Sequence, residues 1–292
     1  MADLDELLQI GVAVARSAGD LLLDGLHRAR TSVRTKSSRT DMVTEMDLAS
    51  ESLIAASLHR QRPRDAILAE EGARQDGSTG VRWIVDPLDG TTNYLYAWPA
   101  FAVSIAAEID GRVAVGVVHD PSHAETFVAV RGVGAWLSDP DGTDGAPDTQ
   151  GARSAPTEDD RTPLRLDAPP RLADALVGTG FNYDATLRAR QAEVLTRVLP
   201  VVRDIRRAGA AALDLCWVAA GRLDAFFEAG LQPWDWAAGA LVAAESGAWV
   251  GDLEGGPPSG SMTLAAAPEL AAALRALLVE AGAGSAPLDA PG

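Results

Sequence analysis

The chain has 292 residues, 47% hydrophobic and 23% charged, with a formal net charge of −16 and a single cysteine, Cys216. A chain of this length and composition buries a sizeable core without staples, which excludes wholesale disorder and a disulfide framework. The charge disfavours nucleic acid as a partner, although an acidic protein can still hold a phosphate when metal cations stand between the two negative charges.

Three acids in the first six residues are the opposite of a signal peptide's basic start, and no run of 18 apolar residues occurs. The expectation is a cytoplasmic protein without a membrane span, with Cys216 a buried apolar residue. Leu4, Leu7, Leu8, Gly11, Val14, Ala15, Ala18, Leu21 and Leu22 recur at helical spacing and predict a helix over 4–28. A polar, basic loop around Lys36 follows. Thr44 then opens a second helix that runs to about Arg60, and Thr44 with Asp47 has the spacing of a capping box, so Asp47 reads locally as a cap. From residue 66 the period changes to that of strands, at 66–69, 81–85, 102–107, 113–118, 125–130 and 134–137, with Asp110-Gly111 as a hairpin turn.

Residues 138–160 carry seven acids, one arginine and no Leu, Ile, Val, Met or aromatic residue. Such a segment buries nothing and reads as a solvated, disordered insertion at a hairpin tip. The second half alternates strands at 175–178, 204–207, 223–227 and 248–250 with helices at 187–199, 210–220, 235–246 and 268–281. The organisation expected is helices and a mainly antiparallel sheet over 1–137, an insert over 138–162, and an α/β part over 163–292.

The carboxylates fall at the ends of these elements. Glu70 and Glu71 follow one strand, Asp86 ends the next, Asp89 comes a turn later, and Asp47 and Asp235 each begin a helix. Each alone reads as a turn former or a cap, and their coincidence makes that reading less comfortable. The stretch VDPLDGTTN, residues 85–93, lets two carboxylates and the Leu88 carbonyl face one hard cation, with Pro87 stiffening the turn and Gly90-Thr91-Thr92 offering amides to an anion. Metal, amide donors and a hydroxyl together suit metal-assisted hydrolysis of a phosphate ester. His119 and His123 flank Pro121 and read as a hairpin turn, and Gly178-Thr179-Gly180 is too short for a dinucleotide loop.

Trp83–Asn93 resembles the first signature of the inositol monophosphatase family, and Trp234–Gly239 resembles the second. Asp41–Asp47 and Ala69–Gly72 match as well, so the resemblance runs from about Lys36 to Val250. It implies an α/β chain of the α+β type, a layered α-β-α-β-α sandwich of the inositol monophosphatase and fructose bisphosphatase type. It also implies two to three Mg²⁺ ions, the first on Glu70, Asp86 and the Leu88 carbonyl, the second on Asp86, Asp89 and Asp235. A third would sit on Glu70, near the mobile loop of Lys36. Thr91, backed by Asp47, would orient the attacking water, which makes Asp47, Thr91 and Glu70 the catalytic group.

The same resemblance puts the substrate's phosphate on the metals and on the Gly90 and Thr91 amides, counts Asp89 and Asp235 among the substrate-binding residues, and has the second ion and its water stabilise the leaving alkoxide. Glu228 would accept ring hydroxyls, and Gly209, Ala210 and Ala211 would lie against the ring. Family members often carry Thr where this chain has Ala210, and without the family Glu228 could equally be a surface acid. The expected activity is hydrolysis of inositol monophosphate, with lithium inhibition and a homodimer. The alternatives are histidinol phosphate, phosphoadenosine phosphate or fructose bisphosphate as substrate, or a regulatory role on RNA machinery or a protein partner.

Overall fold

The computed structural model describes residues 3–26, 33–35, 42–138 and 161–284. Lys36 and the body of the acidic segment lie outside these. The Asp3 carboxylate accepts from the Asp5 and Glu6 N–H groups and starts α1 (Leu4–Gly25), which buries Leu7, Leu8, Val14, Ala15, Ala18 and Leu22. A small antiparallel ribbon, β1 (Val33–Thr35) and β2 (Met42–Thr44), leads into α2 (Glu45–Gln61). Next come β3 (Ala66–Ala69), β4 (Arg74–Gln75), β5 (Val81–Asp89), the short α3 (Thr91–Leu95), β6 (Ala102–Ile109), β7 (Arg112–Asp120), β8 (Glu125–Val130), β9 (Gly134–Ser138) and β10 (Arg161–Pro163). The second half comprises β11 (Leu176–Thr179), α4 (Ala185–Val198), β12 (Asp204–Arg206), α5 (Ala211–Ala219), β13 (Ala225–Glu228), α6 (Pro233–Glu245), β14 (Trp249–Gly251), β15 (Thr263–Ala266) and α7 (Pro268–Glu280).

The strands form an eight-stranded sheet in the order β10-β9-β8-β7-β6-β5-β3-β4 and a five-stranded sheet in the order β12-β11-β13-β15-β14. The first is antiparallel except where β3 runs parallel to β5, and in the second β12, β11 and β13 are parallel. Side chains alternate between cores as a pleated strand requires. In β5, Val81, Trp83 and Val85 face α1 and α2 while Ile84 faces α5 and α6; in β13, Ala225 and Phe227 face α7 while Phe226 faces α5. The stack is therefore helix, sheet, helix, sheet, helix, the layered sandwich expected.

Helix α6 lies between the two sheets and has no polar face over Ala237–Ala243, since water reaches neither side. It comes so close to β7 that a Cβ on Gly116 would lie 2.7 Å from the Ala238 carbonyl oxygen. The elements expected from periodicity all form, most within a few residues of their expected ends, with one informative difference. β5 runs on past Val85 to Asp89, and its pairing with β6 shifts register between Asp86 and Asp89. Pro87 has no N–H for the ladder, so the strand bulges there rather than ending. β15 escaped expectation because its four residues are all buried and carry no alternation. β9 and β10 pair directly, Ser138 opposite Arg161, so the acidic segment begins and ends at one point of the sheet edge.

Candidate active site

The Asp47 carboxylate is buried in the first turn of α2. Its Oδ2 accepts from the Thr44 N–H at 2.8 Å and from the Thr44 hydroxyl at 2.5 Å, completing the capping box. Its Oδ1 accepts from the Thr91 hydroxyl at 2.9 Å. One carboxylate thus caps a helix with one oxygen and fixes a hydroxyl on another element with the other. The Leu88 carbonyl lies 3.3 Å from the same Thr91 oxygen, and Ser50 donates to the Pro87 carbonyl at 2.8 Å, which ties the bulge to α2.

Glu70 follows β3 directly, and its N–H donates to the Val85 carbonyl, carrying the parallel ladder one step beyond the strand. The loop is held from α2 by the buried Glu51, which accepts from the Glu71 N–H at 2.8 Å and the Ala73 N–H at 2.9 Å. Asp86 accepts from the Leu88 N–H at 3.0 Å. Asp89 reaches across the molecule to the start of α5, accepting from the Ala212 N–H at 2.7 Å. Ala210 has no side chain able to cap that helix, so a carboxylate remote in sequence supplies the acceptor. Asp235 closes a capping box at α6, accepting from the Gln232 N–H at 2.6 Å.

Gly90 has φ near 90°, the left-handed turn that lets α3 start at Thr91. Asn93 donates to the carbonyls of Ala100 at 2.6 Å and Ala208 at 2.8 Å, which docks the Gly209-Ala210-Ala211 segment against α3. Glu228, the last residue of β13, lies over Gly180, whose missing Cβ leaves room for the carboxylate. A separate cavity of about 500 Å³ lies between α4, the end of α7 and β13, and Glu228 is its one residue in common with the expected site.

The charges crowd. Burial, then Glu70, Asp89 and Asp235 in turn, push Asp86 well above the usual carboxylate range. Burial and Glu70 push Asp235 up in the same way, and burial chiefly lifts Asp89 to about 7 against the bond from Ala212. No basic side chain figures among the leading influences on Asp86 or Asp235. Among the described residues no three His, Cys, Asp or Glu side chains draw together tightly enough to hold a metal ion. Asp86 and Asp235 each accept from one backbone N–H, and Asp89 accepts from the N–H groups of both Ala212 and Ala211. The donor set is oxygen-only and made of mutually repelling acids, which is the chemistry that suits a hard divalent cation keeping part of its water.

The model of the inositol monophosphatase family matches residues 3–283. The chain belongs to this family. An inositol-1-monophosphatase of Mycobacterium bovis is 45% identical over 254 residues, covering 84% of this chain and 81% of the relative. A protein of Pasteurella multocida named Nus factor SuhB is 38% identical, covering 87% of each chain. The solved structure of Mycobacterium tuberculosis SuhB superposes with a TM-score of 0.78 at 37% identity, covering 97% of this chain and all of that one. Family and relatives point to a phosphatase, and members of the family are generally metal-dependent.

Sequence reasoning passed over three residues at this site. Glu51 and Asn93 act on backbone groups. Asp214 sits buried in α5 with its Oδ1 unbonded among the described residues, and burial and then Glu228 raise its pKa well above the usual range. An aspartate inside the apolar run of α5 was a signal in plain view.

Proposed function

We propose that the chain is a Mg²⁺-dependent phosphomonoesterase acting on inositol monophosphate. The observation that carries the reading is the hydrogen-bonded chain from Thr44 through Asp47 to Thr91, beside the Leu88 carbonyl and among Glu70, Asp86, Asp89 and Asp235. Glu70, Asp86 and the Leu88 carbonyl would hold one cation, and Asp86, Asp89 and Asp235 a second. Bound there, the ions supply Lewis acidity toward a phosphoryl oxygen and lower the pKa of water.

The protein's own part is orientation. Because the Thr91 hydroxyl donates its hydrogen to Asp47, the lone pairs of the Thr91 oxygen remain to accept a hydrogen bond from a water and so orient the water's oxygen toward phosphorus. The Gly90 and Thr91 amides are the proposed cradle for the phosphate, Glu228 accepts substrate hydroxyls, and the backbone of Gly209-Ala210-Ala211 lies along the ring. The family resemblance supports reading the protein as a lithium-sensitive homodimer, and the acidic, single-cysteine chain supports a cytoplasmic setting.

The test is phosphate release with Mg²⁺ from inositol monophosphate, histidinol phosphate, phosphoadenosine phosphate and fructose bisphosphate, repeated with Asp86→Asn. Inositol monophosphate is expected to turn over, and Asp86→Asn to lower the rate by about a hundredfold or more. Absence of turnover on every ester would overturn the enzyme reading; histidinol phosphate as the sole good substrate would replace the inositol reading. A second reading, a regulatory role on RNA machinery or a protein partner, draws on the Nus factor name of the Pasteurella relative. A cellular phenotype that survives Asp86→Asn while hydrolysis is lost would favour it.

A further inference from the structure

Gly178-Thr179-Gly180 is too short for a dinucleotide loop, and the structure makes it a floor beneath two carboxyl groups. Strand β11 runs parallel to β13, with Gly178 opposite Phe226 and Thr179 opposite Phe227. Thr179 donates its hydroxyl to the Phe227 carbonyl at 2.9 Å, which pins the two strands together. Alternate residues of a strand share a face, so Gly178 lies on the side of Phe226 and Glu228, packed against α5. A Cβ on Gly178 would stand 3.3 Å from Asp214 Oδ1 and 2.7 Å from Leu223 Cδ1, and a Cβ on Gly180, just past the strand, would collide with the Glu228 carboxylate. Two glycines thus seat Asp214 from α5 and Glu228 from β13 at same-face positions about 6–7 Å apart along one strand.

Both groups have hydrogen-bonding capacity left over. Asp214 is 1% exposed and its Oδ1 is unbonded among the described residues. The Glu228 carboxylate makes no hydrogen bond among the described residues either. An unpaired oxygen on a buried carboxyl is costly, and inside proteins such an atom is ordinarily met by a side chain or an internal water. Burial, and after it Glu228, raise the Asp214 pKa well above the usual carboxylate range, which favours the form with a proton to donate. Thr263 flanks Glu228 on its other side, directly across the β13–β15 pair, and its hydroxyl is also unbonded. The Glu228 carboxylate, however, leans over β11 and away from β15, toward the side on which Asp214 stands.

We propose that Asp214 is a positioning residue for Glu228: across the Gly178–Gly180 floor its carboxyl reaches one Glu228 oxygen through a bridging water, and so holds the other oxygen to accept hydroxyls of a polyol substrate. The inference rests on the phosphatase reading above. In the test, kcat and KM are measured with Mg²⁺ on inositol monophosphate and on 4-nitrophenyl phosphate, whose ring offers Glu228 no hydroxyl. The proteins are the wild type, Asp214→Leu, Asp214→Asn, Thr263→Val, Glu228→Gln and the double variant Asp214→Leu with Glu228→Gln. Asp214→Leu is expected to raise KM for inositol monophosphate about tenfold with kcat within about threefold, and to leave kcat/KM on the aryl ester at the wild-type value. Asp214→Asn, whose amide still donates, and Thr263→Val keep the wild-type KM. In the Glu228→Gln background Asp214→Leu raises KM no further, because the two residues act as one unit. An unchanged KM in Asp214→Leu, equal losses on both esters, or a full added loss in the double variant overturns the proposal. Where Asp214→Leu does not fold, Asp214→Asn decides, and a tenfold higher KM in that variant overturns the proposal as well. Wild-type hydrolysis of inositol monophosphate with one of those failures sinks this inference alone, and wild-type hydrolysis of neither ester sinks the phosphatase reading with it.

Discussion

Asp47 offers a way to separate a structural from a catalytic contribution at one side chain. In Asp47→Asn the amide oxygen can still accept from the Thr44 N–H and hydroxyl, at the 2.8 and 2.5 Å positions, and the cap survives. The amide nitrogen must then face the Thr91 oxygen, 2.9 Å away, and donate to it. Thr91 is forced from donor to acceptor, and its proton turns toward the Leu88 carbonyl or outward. Folding loses the charge-assisted share of these bonds, roughly 0.5–1.5 kcal/mol each. It regains part of the cost of burying a carboxylate, whose pKa burial already raises. The net change in stability is therefore within about 1 kcal/mol, a shift of only a few degrees in Tm. Catalysis loses the acceptor that aims the water, and positioned proton acceptors contribute about 10²–10⁴ in rate. By contrast Asp47→Ala strands the Thr44 N–H, leaves the Thr91 hydroxyl only the longer bond to the Leu88 carbonyl, and costs about 2–4 kcal/mol of stability. The assay pairs initial rates of phosphate release at saturating Mg²⁺ with thermal unfolding of both variants. An Asn variant within about threefold of wild-type kcat would refute the orienting role and leave Asp47 a cap.

Two further outcomes are expected. Glu51→Ala frees the Glu71 and Ala73 N–H groups and loosens the loop bearing Glu70; the Mg²⁺ concentration for half-maximal binding, read by calorimetry, should rise on the order of tenfold, and an unchanged titration would deny Glu51 any part in holding that loop. Burial raises Glu228 from the ordinary value of 4.5 to about 8, against the pull of Arg207. In the pH window between those two values the folded state holds a proton that the unfolded state has released, so the contribution is full below the unfolded pKa and is lost as pH rises through 8. Glu228 is half-buried rather than fully enclosed, so solvent screens part of the effect and the loss is on the order of 2 kcal/mol. The metal-free Glu228→Gln protein should accordingly outlast the wild type by a Tm margin that widens from pH 6 to pH 9, and a margin independent of pH would remove Glu228 as the cause.

What the sequence made legible is what short spacing encodes. The period of α1, the alternation along β5 and β13, and the motif from Val85 to Asn93 each lie within a few residues, where geometry ties one side chain to the next. The bonds that assemble the site are of another kind. Asp89 reaches Ala212 across 123 residues, Asn93 reaches Ala208 across 115, and Glu51 reaches Glu71 across 20. Each ends on a backbone N–H or carbonyl, which every residue but proline offers in both forms, so the partner's identity leaves no mark in the sequence. Asp47 shows the consequence most directly. Its capping role was readable from Thr44 three residues away, and taken alone it competed with a catalytic role. The structure removes the competition, because a carboxylate has two oxygens and the cap needs only one. The helix start holds the side chain still, and that stillness is what lets its second oxygen set the direction of the Thr91 hydroxyl.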